Sequence, residues 1–214
     1  MTIRIMLADD HAVVREGYRR LLERTRDIEV ASEAASGEEA YRTYCATEPD
    51  VGVIDINLPD MSGVEVTRRI VARDPAARIL VFSMHEDVVF ASRALQAGAR
   101  GYVTKSSAPD VLVDAVRAVA EGRTYLSHDV AQKLALQLMP GQTVPFADLS
   151  PREFEVFRLL AEGRSVGEIA RALSLSPKTV SNYQSIVKQK LEADSSAQMV
   201  WIALRRGLVG AGGQ

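Results

Sequence analysis

Over the first 121 residues, short apolar runs alternate with longer stretches in which apolar positions recur every three or four residues. The runs "IRIMLA" (3–8), "IEVASEA" (28–34), "DVGVID" (50–55), "RILVFS" (78–83) and "RGYVT" (100–104) have the length and composition of strands. Between them the period changes. Val14, Tyr18, Leu21 and Leu22 share one face over 11–24, and Val111, Leu112, Ala115, Val116 and Val119 share one face over 109–121, the spacing of amphipathic helices. Gly98 and Gly122 stand where a helix end favours a residue free to take positive φ. Regular strand–helix alternation predicts an α/β domain, a doubly wound five-stranded parallel sheet with helices on both faces.

From 122 to 149 the periodicity weakens. "SHDVAQKLALQLM" holds at most a short helix, and "PGQTVPFADLS", with two prolines and a glycine, reads as an exposed linker. We therefore expect a first domain over 1–121, a linker over 122–147 and a second domain over 148–214. The second domain has helical patterns at 151–162, 165–173, 177–191 and roughly 195–206, with no strand signal. It is expected to be an all-α four-helix unit.

Composition narrows the class. With 47% hydrophobic and 25% charged residues the chain suits a soluble globular protein. It has no run of 18 apolar residues, so no membrane partner is expected, and "MTIRIMLADD" turns acidic within ten residues, unlike a signal or transit peptide. The cytoplasm is the expected compartment. One cysteine, Cys45, excludes an internal disulfide and suits packing within a helix; with three scattered histidines (His11, His85, His128) no His/Cys metal site is expected. His11 and His85 read as surface residues. The net charge of −2 is unevenly split, with 9 Lys+Arg against 7 Asp+Glu in 148–214 and 17 against 21 before it. A surplus of +2 does not by itself hold nucleic acid at physiological salt.

The candidate chemistry lies at the strand ends. "VGVIDINLPD" (51–60) carries Asp55 directly after Val53 and Ile54, and a charge at the end of a buried strand costs several kcal/mol unless compensated. In open α/β sheets the carboxyl ends of the strands converge on one edge, where ligands bind. That edge would gather Asp9 and Asp10 after the first strand, Asp55 after the third, Ser83 at the end of the fourth and Lys105 after the fifth. Taken singly, Asp9 or Asp10 reads equally well as a helix N-cap, Lys105 as a solvated lysine and Tyr102 as a packing residue. Together, three carboxylates and one lysine sum to −2, which a divalent ion would neutralise. An all-oxygen donor set with few protein groups suits Mg²⁺, and a carboxylate that accepts a phosphoryl group fits the same charge distribution.

The blocks "LADDH", "DINLPDMSG", "VFSMHED" and "GYVTK" resemble the signature blocks of two-component response-regulator receiver domains, which have a flavodoxin-like fold. The resemblance implies Asp55 as phospho-acceptor, Asp10 as a direct Mg²⁺ ligand, Asp9 as a ligand through water, and the backbone carbonyl of Asn57 as a further ligand beside Asp55. It further implies that Ser83 and Lys105 hold phosphoryl oxygens and that Tyr102 is the aromatic that turns inward with the switch.

In the second domain, "SVGEIARALSLSPKTVSNYQ" (165–184) reads as two short helices joined by a turn, with Ser176 as N-cap and Pro177 at the first helical position. Val180, Val187 and Leu191 fall within about 40° on a helical wheel and form the buried stripe. Lys178, Ser181, Asn182, Ser185, Lys188 and Gln189 cover the opposite arc. The stretch 149–191 resembles the LuxR-type DNA-binding domain of NarL/FixJ-class regulators. That likeness implies that Lys178, Thr179, Ser181, Asn182, Ser185 and Lys188 face double-stranded DNA. Family members often carry Lys at the positions of Ser181 and Ser185 and Leu at that of Lys188. The last helix resembles the family's dimerisation helix, with Met199, Ile202, Ala203 and Arg206 on one face.

The reading is a transcription regulator switched by phosphorylation, with a sensor histidine kinase as phosphodonor, a homodimer as the phosphorylated form and room for RNA polymerase as a further partner. It is not a turnover enzyme: the receiver is expected to catalyse only its own phosphorylation and a slow dephosphorylation. A phosphohydrolase built on Asp55 would need a second carboxylate two residues on, where Asn57 stands. A constitutive DNA-binding protein with a receiver used only for dimerisation is the remaining rival, and the complete acidic set argues against it.

Overall fold

The computed structural model describes residues 2–85, 88–137, 146, 148–173, 175–206 and 208–209, and the chain divides into two compact units, 1–136 and 137–214. The first contains β1 (Ile3–Ala8), α1 (Ala12–Glu23), β2 (Ile28–Ala34), α2 (Gly37–Thr47), β3 (Val51–Ile54), α3 (Gly63–Arg73), β4 (Ile79–Ser83), α4 (Val88–Gln96), β5 (Gly101–Thr104), α5 (Pro109–Ala120) and β6 (Tyr125–Leu126), followed by α6 (His128–Gln137). The second contains α7 (Pro151–Ala161), α8 (Val166–Ala172), α9 (Pro177–Lys190) and α10 (Ser196–Arg205). Among the described residues no helix is long and apolar enough to cross a membrane.

The sheet is parallel throughout, in the order β2-β1-β3-β4-β5-β6. Alternate strand residues point to opposite faces. Ile5, Leu7, Val51, Val53, Leu80, Phe82 and Val103 accordingly share one buried core with Leu22 of α1 and with Leu112, Val113, Ala115, Val116 and Val119 of α5. Tyr18 of α1 meets Phe82 edge-on, with ring centroids 4.6 Å apart.

Sequence-coded caps place the helices. Ser36 and Ser62 accept the Glu39 and Glu65 amides at the starts of α2 and α3. Asp60 adds a second cap from outside α2, its carboxylate accepting the Gly37 and Glu38 amides at 2.6 and 3.0 Å. A carboxylate at a helix N-terminus satisfies orphan donors and opposes the helix dipole, so the loop carrying Asp60 is tied to α2. Gly98 and Gly122 take φ of 99° and 79°, the left-handed conformation expected of them.

The sheet has six strands where five are expected. Tyr125 and Leu126 pair with Gly101 and Tyr102, held by bonds from the Tyr125 amide to the Arg100 carbonyl and from the Ser127 amide to the Tyr102 carbonyl, both 3.0 Å. Much of the stretch read as a linker is therefore ordered as β6 and α6, whereas 138–145 and 147, including most of the expected boundary, lie outside the described residues. A two-residue strand has no readable period; long-range pairing creates it.

The second unit follows the predicted helices to within two residues at each end. Ser150 with Glu153 and Ser165 with Glu168 form capping boxes at the starts of α7 and α8. Ser176 accepts the Thr179 amide and Pro177 opens α9. Val156, Leu159, Ile169, Ala170, Leu173 and Val180 form its core. Glu153 also receives Lys190 from α9 at 2.7 Å. Burial works against its charge, but Lys190 and the Ser150 bonds outweigh it and hold the carboxyl below its usual range.

Candidate functional site

Strand register builds the site. Ala8 pairs with Ile54, so Asp9 and Asp55, one residue further on, leave the sheet side by side. Ser83 pairs with Thr104, which brings Lys105 to the same edge. Asp9, Asp55 and Ser83 are all buried. The Lys105 ammonium bridges the two carboxylates, donating to Asp9 Oδ2 at 2.5 Å and to Asp55 Oδ2 at 2.7 Å, with only 5% of its side chain exposed. The structure thus brings together Asp9, Asp10, Asp55, Ser83 and Lys105 from four strand ends.

The remaining atoms of the two carboxylates are fixed by the backbone. Asp9 Oδ1 accepts the His11 amide at 2.8 Å and Asp55 Oδ1 accepts the Asn57 amide at 3.2 Å. Burial pushes the Asp55 carboxyl above its ordinary value, with Lys105 opposing and Asp9 adding to the rise. Burial alone would depress the Lys105 ammonium, yet Asp55 and Asp9 hold it above its ordinary value. One lysine does not balance the local negative charge, and Asp10, partly exposed, adds to it. Oxygen ligand atoms of Asp9 and Asp10 lie within 4.8 Å of one another, in a group with a His11 nitrogen. Clustered hard donors with uncompensated charge are the composition that suits a small divalent cation.

Behind Asp55 the backbone of α3 passes at the closest range a glycine allows. A Cβ at Gly63 would stand 2.0 Å from the Asp55 carbonyl oxygen and 3.0 Å from Ile54 Cγ2. Backbone cannot yield there as a flexible side chain would. Gly63→Ala is therefore expected to destabilise the first unit by about 1–3 kcal/mol and to displace Asp55; thermal unfolding of the two proteins checks it.

His85 is the residue that sequence reading missed. Expected at the surface, it is half-buried, stacked on Phe90 with centroids 4.0 Å apart. Its ring reaches Asn57 Oδ1 at 3.2 Å, its amide donates to Ser83 Oγ at 3.2 Å, and its carbonyl accepts the Tyr102 hydroxyl at 2.7 Å. Tyr102 is wholly buried. Three residues singled out from separate elements thus meet through His85. The one sequence hint was its position two beyond Ser83; Phe90, on the following helix, supplies the stacking face. His11 is exposed as expected, with Nδ1 2.7 Å from Asp10.

In the second unit, Lys178, Ser181, Asn182 and Ser185 are exposed on α9, while Val180 and Val187 are buried and Leu191 half-buried. Thr179 and Lys188 are half-buried. Thr179 is also engaged in the cap, its Oγ1 2.8 Å from Ser176 Oγ, and the Ser185 hydroxyl donates to the Ser181 carbonyl at 3.0 Å.

The four residues expected to form a dimer face on α10 differ in exposure. Met199 and Ala203 are buried, and α10 packs against α7. Ile202 is half-buried, and Arg206 is exposed, its guanidinium 5.4 Å from the Phe146 ring. The outward face belongs to Trp201 and Leu204, 55% and 41% exposed, with the Arg205 guanidinium 4.7 Å from the indole.

Comparison with known proteins adds the relatives. Residues 5–117 match the response regulator receiver domain family, and residues 147–203 match the luxR family of bacterial regulatory proteins. The chain is 38% identical over 212 residues to the response regulator UvrY of Escherichia coli (strain K12), covering 98% of this chain and 97% of the relative. It is 40% identical over 208 residues to the transcriptional activator protein ExaE of Pseudomonas putida, covering 96% and 97%. Among solved structures it resembles RcsB from Salmonella enterica serovar Typhimurium, bound to promoter rprA in the presence of the phosphomimetic BeF3⁻. That likeness has a TM-score of 0.72 and 26% identity, covering 94% of this chain and 98% of that one.

Proposed function

The chain belongs to the two-component response regulators, of the NarL/FixJ class that joins a receiver to a LuxR-type DNA-binding domain, and on that premise we propose that phosphorylation of Asp55 controls its binding to DNA. The observation that carries this reading is the buried Lys105 bridge between Asp55 and Asp9 at the carboxyl edge of the sheet. Such a bridge holds the acceptor oxygen and a fixed cation within one phosphoryl group's reach.

In the proposed reaction an Asp55 carboxylate oxygen forms a bond to phosphorus as the donor's own bond to phosphorus breaks, and the product is an acyl phosphate. With a phosphohistidine of a sensor histidine kinase as donor, the leaving imidazole takes up a proton. Asp9, Asp10, Asp55 and the Asn57 carbonyl are the residues that would hold Mg²⁺. When bound, the ion supplies charge neutralisation for the transferring group. Lys105 would keep a positive charge against the phosphoryl oxygens, and the Ser83 hydroxyl would accept its place beside them by releasing the His85 amide. The Tyr102 hydroxyl, bonded to the His85 carbonyl, would follow that loop. The receiver would perform this self-modification without turnover chemistry.

The output we propose is a DNA-binding homodimer in the cytoplasm, with RNA polymerase as a further partner. RcsB, a solved relative, is bound to a promoter, which supports DNA binding here; the exposed polar face of α9 is the surface we assign to it. The outward face of α10, with Trp201 and Leu204, takes the dimer role first drawn on Met199 and Ala203. Trp201 is the chain's one tryptophan, so the experiment is direct. Small phosphodonor with Mg²⁺ should shift Trp201 emission to shorter wavelength, raise the dimer fraction in sedimentation and tighten DNA binding. Trp201→Ala should weaken the dimer roughly 30-fold, the equivalent of an anchor worth about 2 kcal/mol. DNA binding as tight without phosphodonor as with it would replace this reading with constitutive binding.

A further inference from the structure

The turn carrying Asp9 and Asp10 is held from behind by a residue outside the acidic set. Arg15 Nη1, reaching from α1, donates to the Asp9 carbonyl oxygen at 2.6 Å, and its Nε donates to Glu33 Oε2 at 2.8 Å. Glu33 lies on β2 opposite Leu7, and its second oxygen receives Arg19 Nη1 at 3.0 Å. The Arg15 side chain is 16% exposed. One guanidinium therefore ties the turn's carbonyl to a carboxylate anchored in the neighbouring strand.

The position of that carbonyl matters because it belongs to the peptide joining Asp9 to Asp10. A peptide is planar, so fixing its oxygen fixes the plane from which the Asp10 backbone departs. Asp9's own carboxylate is already fixed by Lys105 and the His11 amide. Asp10 has no comparable backbone tether among its described contacts; its carboxylate meets only the exposed His11 ring. The relative placement of the two carboxylates then depends on the peptide between them.

We infer that Arg15, braced by Glu33, is the positioning residue of the cation site: it sets the Asp9–Asp10 peptide plane and thereby the affinity for a divalent ion. The inference rests on the reading of Asp9 and Asp10 as cation ligands. Arg15 is not a catalytic residue, since its described contacts include neither Asp55 nor Lys105. Groups that orient metal ligands typically change metal affinity by about 10- to 100-fold when removed. Arginine's fork serves two acceptors at once, which the single ammonium of lysine does less well.

The test uses the full chain as wild type, Arg15→Ala, Arg15→Lys, Glu33→Gln and Asp10→Asn. Mn²⁺, which shares the preference of Mg²⁺ for oxygen ligands, is titrated by electron paramagnetic resonance, and thermal stability is measured in chelator. Arg15→Ala should bind Mn²⁺ about 10- to 100-fold more weakly, with Arg15→Lys and Glu33→Gln between it and wild type. The metal concentration for half-maximal phosphorylation should rise by the same factor, while the rate at saturating metal changes little. A merely structural tie would lower thermal stability and leave Mn²⁺ affinity where it was, and that result overturns the inference. Should Arg15→Ala not fold, wild-type Mn²⁺ affinity in both Arg15→Lys and Glu33→Gln overturns it equally. Tight Mn²⁺ binding that survives Asp10→Asn, or none in wild type, would instead overturn the cation-site reading on which it rests.

Discussion

Asp55→Ala is expected to take up no phosphoryl group from a small phosphodonor with Mg²⁺, where the wild type takes up one per chain in a base-labile, acid-stable linkage. Loss of folding would not account for this. A carboxyl whose folded-state value is raised binds its proton more tightly in the folded than in the unfolded chain. Its ionised form therefore costs the fold stability at neutral pH, and lowering the pH through the raised value relieves that cost. Burial is the main cause of the rise at Asp55, so alanine there removes a destabilising charge. Asp9 remains paired with Lys105. A buried carboxylate kept at such a cost, with a fixed ammonium 2.7 Å from it, is accounted for by reaction. Chelation of Mg²⁺ should abolish uptake in the wild type as well. Lys105→Ala should lose most of the response to phosphate, because the fixed positive partner is gone, and should also lower stability, because two buried carboxylates lose their cation. Mass spectrometry of intact protein, with circular dichroism as the folding control, reads both. Phosphate on Asp55→Ala at wild-type level would remove Asp55 from its role.

How much of this was legible in sequence depends on the range of the interaction that fixes each feature. Strands β1 to β5 and the four C-terminal helices show plainly because each is encoded locally, by apolar period and by caps such as Ser150, Ser165 and Ser176. Convergence of Asp9, Asp55, Ser83 and Lys105 was also readable, since the parallel topology carries every strand end to one edge. Features made by distant pairing were not. β6 exists because Tyr125 and Leu126 meet β5, and His85 is drawn inward by Phe90, Asn57 and Tyr102. On α10 the wheel located the apolar stripe correctly but could not say what it faces. Met199 and Ala203 are buried, and Trp201 and Leu204 are exposed.

Asn182→Ala is expected to cost a dimer about 2–6 kcal/mol on its specific site, twice the 1–3 kcal/mol of one bidentate asparagine–adenine pair, and nearly nothing on scrambled DNA. The position on α9 argues for base contact. Ser176 and Pro177 start the helix sharply, recognition helices present their N-terminal residues to base edges, and Asn182 lies within the second turn with its side chain exposed. Ser181 and Ser185 flank it on the same face, but serine accepts several bases, and the Ser185 proton is already donated to the Ser181 carbonyl. Asn182 is therefore the residue best able to discriminate. Lys178 stands one residue after the proline, exposed where a helix N-terminus attracts phosphate. Thr179 and Lys188 are half-buried on the flanks, where phosphate contact is the expected role. Lys178→Ala should weaken all sequences alike and lower the salt slope by roughly one per subunit. Both follow from titrations of specific and scrambled duplexes at several salt concentrations. With only 9 Lys+Arg against 7 Asp+Glu in 148–214, a single subunit has little electrostatic hold, so each effect should double on paired half-sites. An unchanged specific-to-scrambled ratio for Asn182→Ala, together with an unchanged slope for Lys178→Ala, would leave this face merely solvated and move recognition to another surface of the unit.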